Sequence, residues 1–232
     1  KTSVTEETCR TIIAHNESPD VPFSASINPY RGCEHGCIYC YARPTHGYYG
    51  LSAGLDFESR LFVKSDAVKV LRKELSHPGY QCEVIALGTN TDCYQPLERE
   101  RRVTRGILKL LAECDHPVGI VTKSHLVARD IDILGPMADK GLAQVLVSIT
   151  TLDRRLARRM EPRASTPGRR LDAIREISSA GIPVGVLTSP VIPGLTDNEL
   201  ERILQVARDA GATSADYLLV RLPHEVKNLF RE

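Results

Sequence analysis

The sequence lacks the features that would commit the chain as a whole to a membrane or a polyanion. No apolar run approaches the ~18 residues a membrane span needs, and the first sixteen positions show no signal-peptide pattern. Charge of either sign is not in excess: 30 Lys and Arg face 29 Asp and Glu, a net +1. No global field therefore selects nucleic acid or lipid, and such a partner would have to use a local patch. The seven cysteines are odd in number and unevenly spaced, which argues against a disulfide framework and suits a reducing, cytosolic setting. What remains is a globular composition, 42% apolar and 25% charged over 232 residues, enough for one large domain or two small ones and for a substantial buried core. The chain opens on Lys1 rather than Met, so a missing leader or extension stays open. It stops at Glu232 just as a helix starts at 224–230, so a continuation is expected.

Three of the cysteines are closely grouped in Cys33-Glu34-His35-Gly36-Cys37-Ile38-Tyr39-Cys40. The C-x3-C-x2-C spacing brings three thiolates to one tight loop. A four-iron cluster normally takes four cysteines, so three leave one iron open, as a catalytic metal keeps an open position. Two other uses compete. One is a structural zinc site completed by His35 or His46, although His35 lies inside the loop and should point away. The other is an electron-transfer cluster with Cys93 or Cys9 as fourth ligand. Cys82, just ahead of a strand, and Cys114, at a helix end, read as buried thiols.

Beyond the cysteines, continuous apolar runs alternate with amphipathic helices. The strands expected at 83–88, 118–122, 143–150, 183–187 and 217–221 are apolar throughout, as parallel strands buried on both faces are. Val103, Ile107, Leu110, Leu111 and Cys114 form one helical stripe. Thr196 and Glu199 read as a capping box ahead of Leu200. Thr166-Pro167 starts a helix that Gly181 closes, and Gly141, Gly181 and Gly211 each end a helix before a strand. With the strand preceding Cys33 this makes six βα units against eight in a full barrel. The expected fold is α/β, an open partial (β/α)6 TIM-like barrel over 25–222. Residues 1–24 would be an N-terminal extension and 223–232 the start of a C-terminal helix. A doubly wound open sheet is the alternative. The connection at 41–64 is long enough to be functional or covering, and Tyr48, Tyr49 and Phe57 are candidates for a substrate mouth or lid.

Polar groups collect at the strand ends, where βα barrels build their sites. They are Gly88-Thr89-Asn90-Thr91-Asp92, Thr122-Lys123-Ser124, Ser148 with Thr150, Ser189-Pro190-Val191-Ile192-Pro193-Gly194, and Arg221. With the cysteine spacing, and Tyr39 before the last cysteine, the chain resembles the radical S-adenosylmethionine (SAM) superfamily. Asn28-Pro29-Tyr30-Arg31-Gly32-Cys33, Tyr39-Cys40-Tyr41-Ala42-Arg43, Thr91-Asp92 with Tyr94-Gln95-Pro96, Ser148 to Asp153, Glu161-Pro162-Arg163 and Pro190 to Gly194 resemble its spore photolyase-like branch, over roughly 25–222.

The resemblance implies that Cys33, Cys37 and Cys40 hold a 4Fe-4S cluster. Its open iron would chelate the amino and carboxylate groups of S-adenosylmethionine. One electron, from a donor such as flavodoxin or ferredoxin, would then release methionine and a 5′-deoxyadenosyl radical that abstracts hydrogen from substrate. Tyr39, Gly88, Thr89, Asn90, Asp92, Lys123, Ser148, Thr150, Arg163, Val191 and Ile192 become candidate cofactor-binding residues. The segment at 88–92 stands where the superfamily has Gly-Gly-Glu but lacks that glutamate, so Asp92 takes the amino group by chemistry alone. Lys123 would pair with the methionyl carboxylate, Ser148 and Thr150 with ribose hydroxyls, and Val191 and Ile192 with adenine; Arg163 or Glu161 would close the site. Cys93 is a candidate hydrogen-donor thiol. Asp92 as a helix cap, Lys123 as a solvated residue, and Ser148 and Thr150 as plain strand residues are the competing readings. The arginines at 154, 155, 158, 159, 163, 169 and 170 form a basic stretch. It is either a solvated surface or a phosphate-binding patch, the latter allowing a nucleic-acid partner or DNA-lesion repair. A metal-stabilised nucleic-acid module without catalysis is the reading from another class.

Overall fold

The computed structural model describes residues 2–17, 21 and 23–231. The expectations about Lys1 and Glu232 fall outside them. Among the described residues, ten strands form two sheets: β1 (Ser3–Glu7), β2 (Ile13–His15), β3 (Ala25–Ile27), β4 (Tyr30–Arg31), β5 (Arg60–Lys64), β6 (Ile85–Leu87), β7 (Val118–Thr122), β8 (Ala143–Ser148), β9 (Val184–Val191) and β10 (Ser214–Leu219).

The large sheet runs β10-β9-β8-β7-β6-β3-β2. Every pair from β3 to β10 is parallel, and β2 adds an antiparallel edge. The six parallel strands follow chain order without reversal. A doubly wound sheet reverses at a switch point; this one does not. The architecture is the open, partial (β/α)6 barrel. Helices Val103–Glu113, Ile131–Ala138, Pro167–Ser179 and Leu200–Asp209 cover the sheet. Ile107, Leu108, Leu110, Leu111, Ile120, Val145, Val147, Ile174, Ile177, Val184, Val186 and Ile203 close one core between the two layers, each such side chain stabilising by about 1.5–3 kcal/mol.

Several local expectations hold. Thr166 accepts from the Arg169 amide as an N-cap with Pro167 behind it, and Gly141, Gly181 and Gly211 all have positive φ at the helix-to-strand turns. Others are corrected. Cys82 and Cys114 are exposed, because β6 starts only at Ile85 and Cys114 already lies past the last helical turn. The capping box does not form: the Thr196 hydroxyl accepts from the Ile192 amide, and Glu199 reaches across to Thr151 and the Leu152 amide. β9 runs on to Val191 because that residue still pairs with Leu219.

The 41–64 connection is ordered: a 3-10 helix at Arg43–Tyr49, a helix at Leu55–Ser59, then β5. β5 lies between β1 and β4 in a second sheet. Residues before 25 therefore join both sheets, and this small sheet braces the segment that leads directly into Cys33.

Candidate active site

The cysteine turn is rigid by construction. Gly32 has φ +74°, and a Cβ there would sit 2.6 Å from the Phe57 carbonyl oxygen. The Cys33 amide donates to that same oxygen at 2.9 Å, and the Cys40 amide to the Cys37 carbonyl at 3.2 Å. Gln95, fully buried, holds the turn with both ends of its amide: Nε2 donates to the Gly32 carbonyl (3.1 Å) and Oε1 accepts from the Glu34 amide (2.9 Å). Arg43, buried three positions after Cys40, donates to the carbonyls of Gly36, Cys37, Ala53 and Gly54 at 2.8–3.0 Å.

Burial pushes all three thiols up, Cys37 to about 12, with the carboxylates of Asp92 and Glu161 adding to the effect at Cys33 and Cys37 respectively. Opposing groups are also in place. The Asp92 amide donates toward the Cys33 sulfur, and the Ala42 and Arg43 amides toward that of Cys40. The Lys123 charge favours the thiolates of Cys37 and Cys40. Thiols with amides aimed at the sulfurs of Cys33 and Cys40, and with the Lys123 charge near Cys37 and Cys40, are suited to an iron–sulfur cluster, whose potential is set by such hydrogen bonds.

The residues named as possible fourth ligands are engaged elsewhere. His35 turns its Nδ1 to Asp92 at 3.3 Å. His46 bonds the Arg60 carbonyl and packs on Phe57 and Phe62. Cys9 bonds Asp66, and Cys93 is fully buried in the main core near Gly88. Among the described residues, no group of three His, Cys, Asp or Glu converges on a single ion. Thiolates that each take a different iron do not have to.

Around the turn, Gly88 has φ +84°, and a Cβ would collide with the Val121 carbonyl oxygen. The loop after it is pinned by Asn28, whose Oδ1 accepts from the amides of Asn90 (3.0 Å) and Thr91 (3.3 Å), and by the Tyr41 phenol on the Thr89 carbonyl. Asp92 accepts from Thr122 Oγ1 (2.7 Å), the Lys123 amide (2.7 Å), the Tyr94 amide (2.8 Å) and His35. Burial alone would raise its carboxyl; His35 and these donors outweigh that and hold it at about 2. Asp92 thus joins the cysteine turn to the end of β7. Lys123 Nζ lies 5.8 Å from the Tyr39 ring centroid.

Tyr39 and Thr150 both donate to Glu161, which pairs with Arg170, and all four are buried. Burial raises the Glu161 carboxyl, but the charges of Arg170 and Lys123 override it and hold it at about 2. The Ser148 hydroxyl donates to the Ser189 carbonyl at 3.2 Å. Ile192 packs with Cys37, Tyr39 and Met160 in one apolar cluster, and Val191 is buried beside it in sequence. Arg163 is turned onto Glu34 and Glu58. Phe57 is core, Tyr49 stacks on Phe62, and Tyr48, 90% exposed, lines a cavity of about 580 Å³ with Pro44, Leu51 and His224.

The Radical SAM superfamily sequence model matches residues 27–207, most of the chain and all three cysteines. The chain belongs to the radical SAM superfamily. An uncharacterized protein of Mycobacterium tuberculosis is 38% identical over 212 residues, 90% of this chain and 62% of the relative. One from Methanocaldococcus jannaschii is 30% identical over 174 residues, 75% and 62% of the two chains. This radical SAM chain therefore spans under two thirds of the length of these relatives. A spore photoproduct lyase variant with bound AdoMet and dinucleoside spore photoproduct superposes with TM-score 0.71 at 18% identity, covering 98% of this chain and 65% of that one. Streptococcus suis SuiB bound to S-adenosylmethionine gives 0.55 at 13%, covering 84% and 40%. At these identities the likeness shows a shared radical SAM fold, the partial barrel described above.

Membership in the radical SAM superfamily implies a 4Fe-4S cluster and SAM, and the donor set of the cysteine turn fits the former. Sequence reading did not find Gln95, Asn28, Arg43 or Arg170 as site-building residues. From sequence, Glu161 and Arg163 are expected to close the site, and Arg163 is also a candidate cofactor-binding residue and a member of the basic stretch. An arginine or amide that caps backbone carbonyls carries no local pattern; the Asn28-Pro29, Ala42-Arg43, Gln95-Pro96 and Glu161-Pro162-Arg163 stretches of the resemblance contain these residues, Arg170 excepted, but assign them no such role.

Proposed function

We propose that this protein is a radical SAM enzyme that cleaves S-adenosylmethionine reductively and passes the radical to a substrate by hydrogen abstraction. One observation carries this reading: three thiols on a braced turn, Cys33 and Cys37 buried and Cys40 half-buried, with the candidate imidazoles and the other candidate thiols committed elsewhere. Cys33, Cys37 and Cys40 would hold the cluster, three thiolates where four-iron clusters normally take four. When bound, the cluster supplies one electron to the sulfonium, drawn singly from a low-potential protein such as flavodoxin or ferredoxin.

The chain's own residues bind, orient and exclude water. Lys123, over Tyr39 and electrostatically coupled to Cys37 and Cys40, pairs with the methionyl carboxylate. Both Asp92 oxygens are already taken, close to the about four lone-pair sites a carboxylate has. We therefore give it the task of holding Lys123 and the cysteine turn in register, in place of binding the amino group. Gly88, Thr89 and Asn90 form the loop that faces the cofactor, and Val191 and Ile192 the apolar wall for adenine. Ser148 and Thr150 back that wall, since their hydroxyls serve internal acceptors. Cys93, sealed in the core, packs there instead of donating hydrogen. Anaerobic reconstitution with iron, sulfide and a strong reductant should yield 5′-deoxyadenosine. Undiminished yield from Cys37→Ala would overturn the assignment.

A further feature favours a phosphate-bearing substrate. Arg154, Arg155, Arg158 and Arg159 are exposed on helix Arg154–Met160, and their helical positions fall within about 140° of arc. Arg163, Arg169 and Arg170 pair with carboxylates, whereas among the described residues these four form no ion pair. The other side of the same helix, Leu156 and Met160, packs with Cys37 and Tyr39. A nucleic acid would cross this face on its way to the site, and its binding should weaken steeply with salt. Salt-independent binding of single-stranded oligonucleotides, or none, would remove this part. Zinc without iron or sulfide would favour a non-catalytic nucleic-acid module.

A further inference from the structure

Four consecutive carbonyls of the cysteine turn are capped by just two arginines. Arg43 donates to Cys37 O at 2.8 Å and Gly36 O at 2.9 Å. Arg163 donates to the Glu34 carbonyl through Nε and to the His35 carbonyl through its own amide at 3.2 Å. Between the guanidiniums sits one carboxylate. Glu58, whose side chain is 15% exposed, pairs with Arg43 at 3.4 Å through Oε1 and with Arg163 through Oε2. Gly36 has φ +67°, and a Cβ there would collide with Glu58 and the Arg163 guanidinium. The clamp thus closes onto the backbone at the one residue between Cys33 and Cys37 that has no side chain. Its partners come from three separate stretches of chain: the 3-10 helix after Cys40, helix Leu55–Ser59, and the loop after Met160.

We propose that Arg43, Glu58 and Arg163 are positioning residues for the cluster. They fix the backbone that spaces the Cys33 and Cys37 sulfurs, and they set a net single positive charge beside it that favours the reduced cluster. The inference rests on the reading of this turn as a cluster site. It moves Arg163 from closing over cofactor to holding the metal loop from behind. A guanidinium fork suits this work because it can serve carbonyl and carboxylate together, which a lysine ammonium cannot do in one plane.

Glu58→Gln and Arg163→Met separate geometry from charge. Arg43 is left intact because it is buried with its donors filled. In metal-free protein, both variants should speed amide exchange of residues 34–38 by about tenfold or more, since each removes part of the same clamp. In reconstituted protein the charge effects should have opposite signs. At a fixed ambient potential, the reduced-to-oxidised ratio should rise about threefold or more in Glu58→Gln and fall as much in Arg163→Met. Arg163→Lys should restore the ratio but not the exchange protection. Unchanged exchange in both variants overturns the clamp. Midpoints that stay put, or move the same way, overturn its electrostatic role. A wild-type protein that takes up no iron would instead sink the proposed function, and the metal-free exchange would still decide the clamp.

Discussion

The phenol of Tyr39 donates a buried hydrogen bond to the carboxylate of Glu161, 122 residues further along the chain. This contact ties the segment between the second and third cysteines to the end of helix Arg154–Met160. Arg170, 1% exposed, then connects the carboxylate to the carbonyls of Ser148 (3.0 Å) and Ser165 (2.7 Å). The cysteine turn is thereby referenced to the far half of the barrel, which also carries Thr150 and the Val191–Ile192 wall.

That network predicts an asymmetry in stability. Glu161→Gln leaves Arg170 charged and buried, and should cost about 3–5 kcal/mol in metal-free protein. The paired Glu161→Gln, Arg170→Met replacement should recover a substantial part, because no uncompensated charge remains. Equilibrium unfolding in urea gives both values. A single variant within ~1 kcal/mol of wild type would show that the pair carries no such burden.

Lys123→Met should raise the KM for S-adenosylmethionine about tenfold or more while leaving iron and sulfide content unchanged, since the ammonium is assigned to the methionyl carboxylate and not to the cluster. Steady-state formation of 5′-deoxyadenosine and metal analysis on the same sample check this. A wild-type KM would free Lys123 of the role.

Two glycine-to-alanine changes should act with opposite signs. Gly88→Ala sets a methyl against the Val121 carbonyl at positive φ and should lower the thermal midpoint clearly; Gly168, inside helix Pro167–Ser179 with open space around it, should gain about 0.5–1 kcal/mol. Thermal unfolding of the two variants side by side is sufficient.

His116 gives a pH signature away from the cluster. Its ring bonds the Tyr80 hydroxyl at 2.6 Å and the Pro117 carbonyl at 3.0 Å, and burial lowers its pKa from the usual 6.5. The unfolded chain then binds the proton more readily than the folded one. Stability is highest above about 6.5 and declines as pH falls through that value toward the folded pKa, below which this group contributes no further loss. His116→Gln should flatten that decline in metal-free protein, and an unchanged slope would show that another group causes it.

Much of the fold was legible because its signals are local. Buried parallel strands read as unbroken apolar runs, so 118–122 was located to the residue, and positive-φ glycines marked helix ends at 141, 181 and 211. The thiol trio was legible for the same reason: ligands on one turn must be close in sequence. Legibility failed where an outcome depended on distant partners. Glu199 has a capping-box position yet bonds Thr151, 48 residues away. Cys82 and Cys114 resemble core thiols by neighbourhood, but each lies just past the edge of its element.

The cysteine spacing, the strand–helix alternation and the absence of any membrane-length apolar run were properties of the sequence by itself, since each depends on residues within a few positions of one another. Strand order, the second sheet that braces β4, the filled carboxylate of Asp92 and the capping of residues 34–37 by Arg43 and Arg163 were decided only by the tertiary structure. Hydrogen bonds and ion pairs join whichever donors and acceptors the packed helices and sheet bring within reach, and any of several arginines or acids could have met the same local pattern.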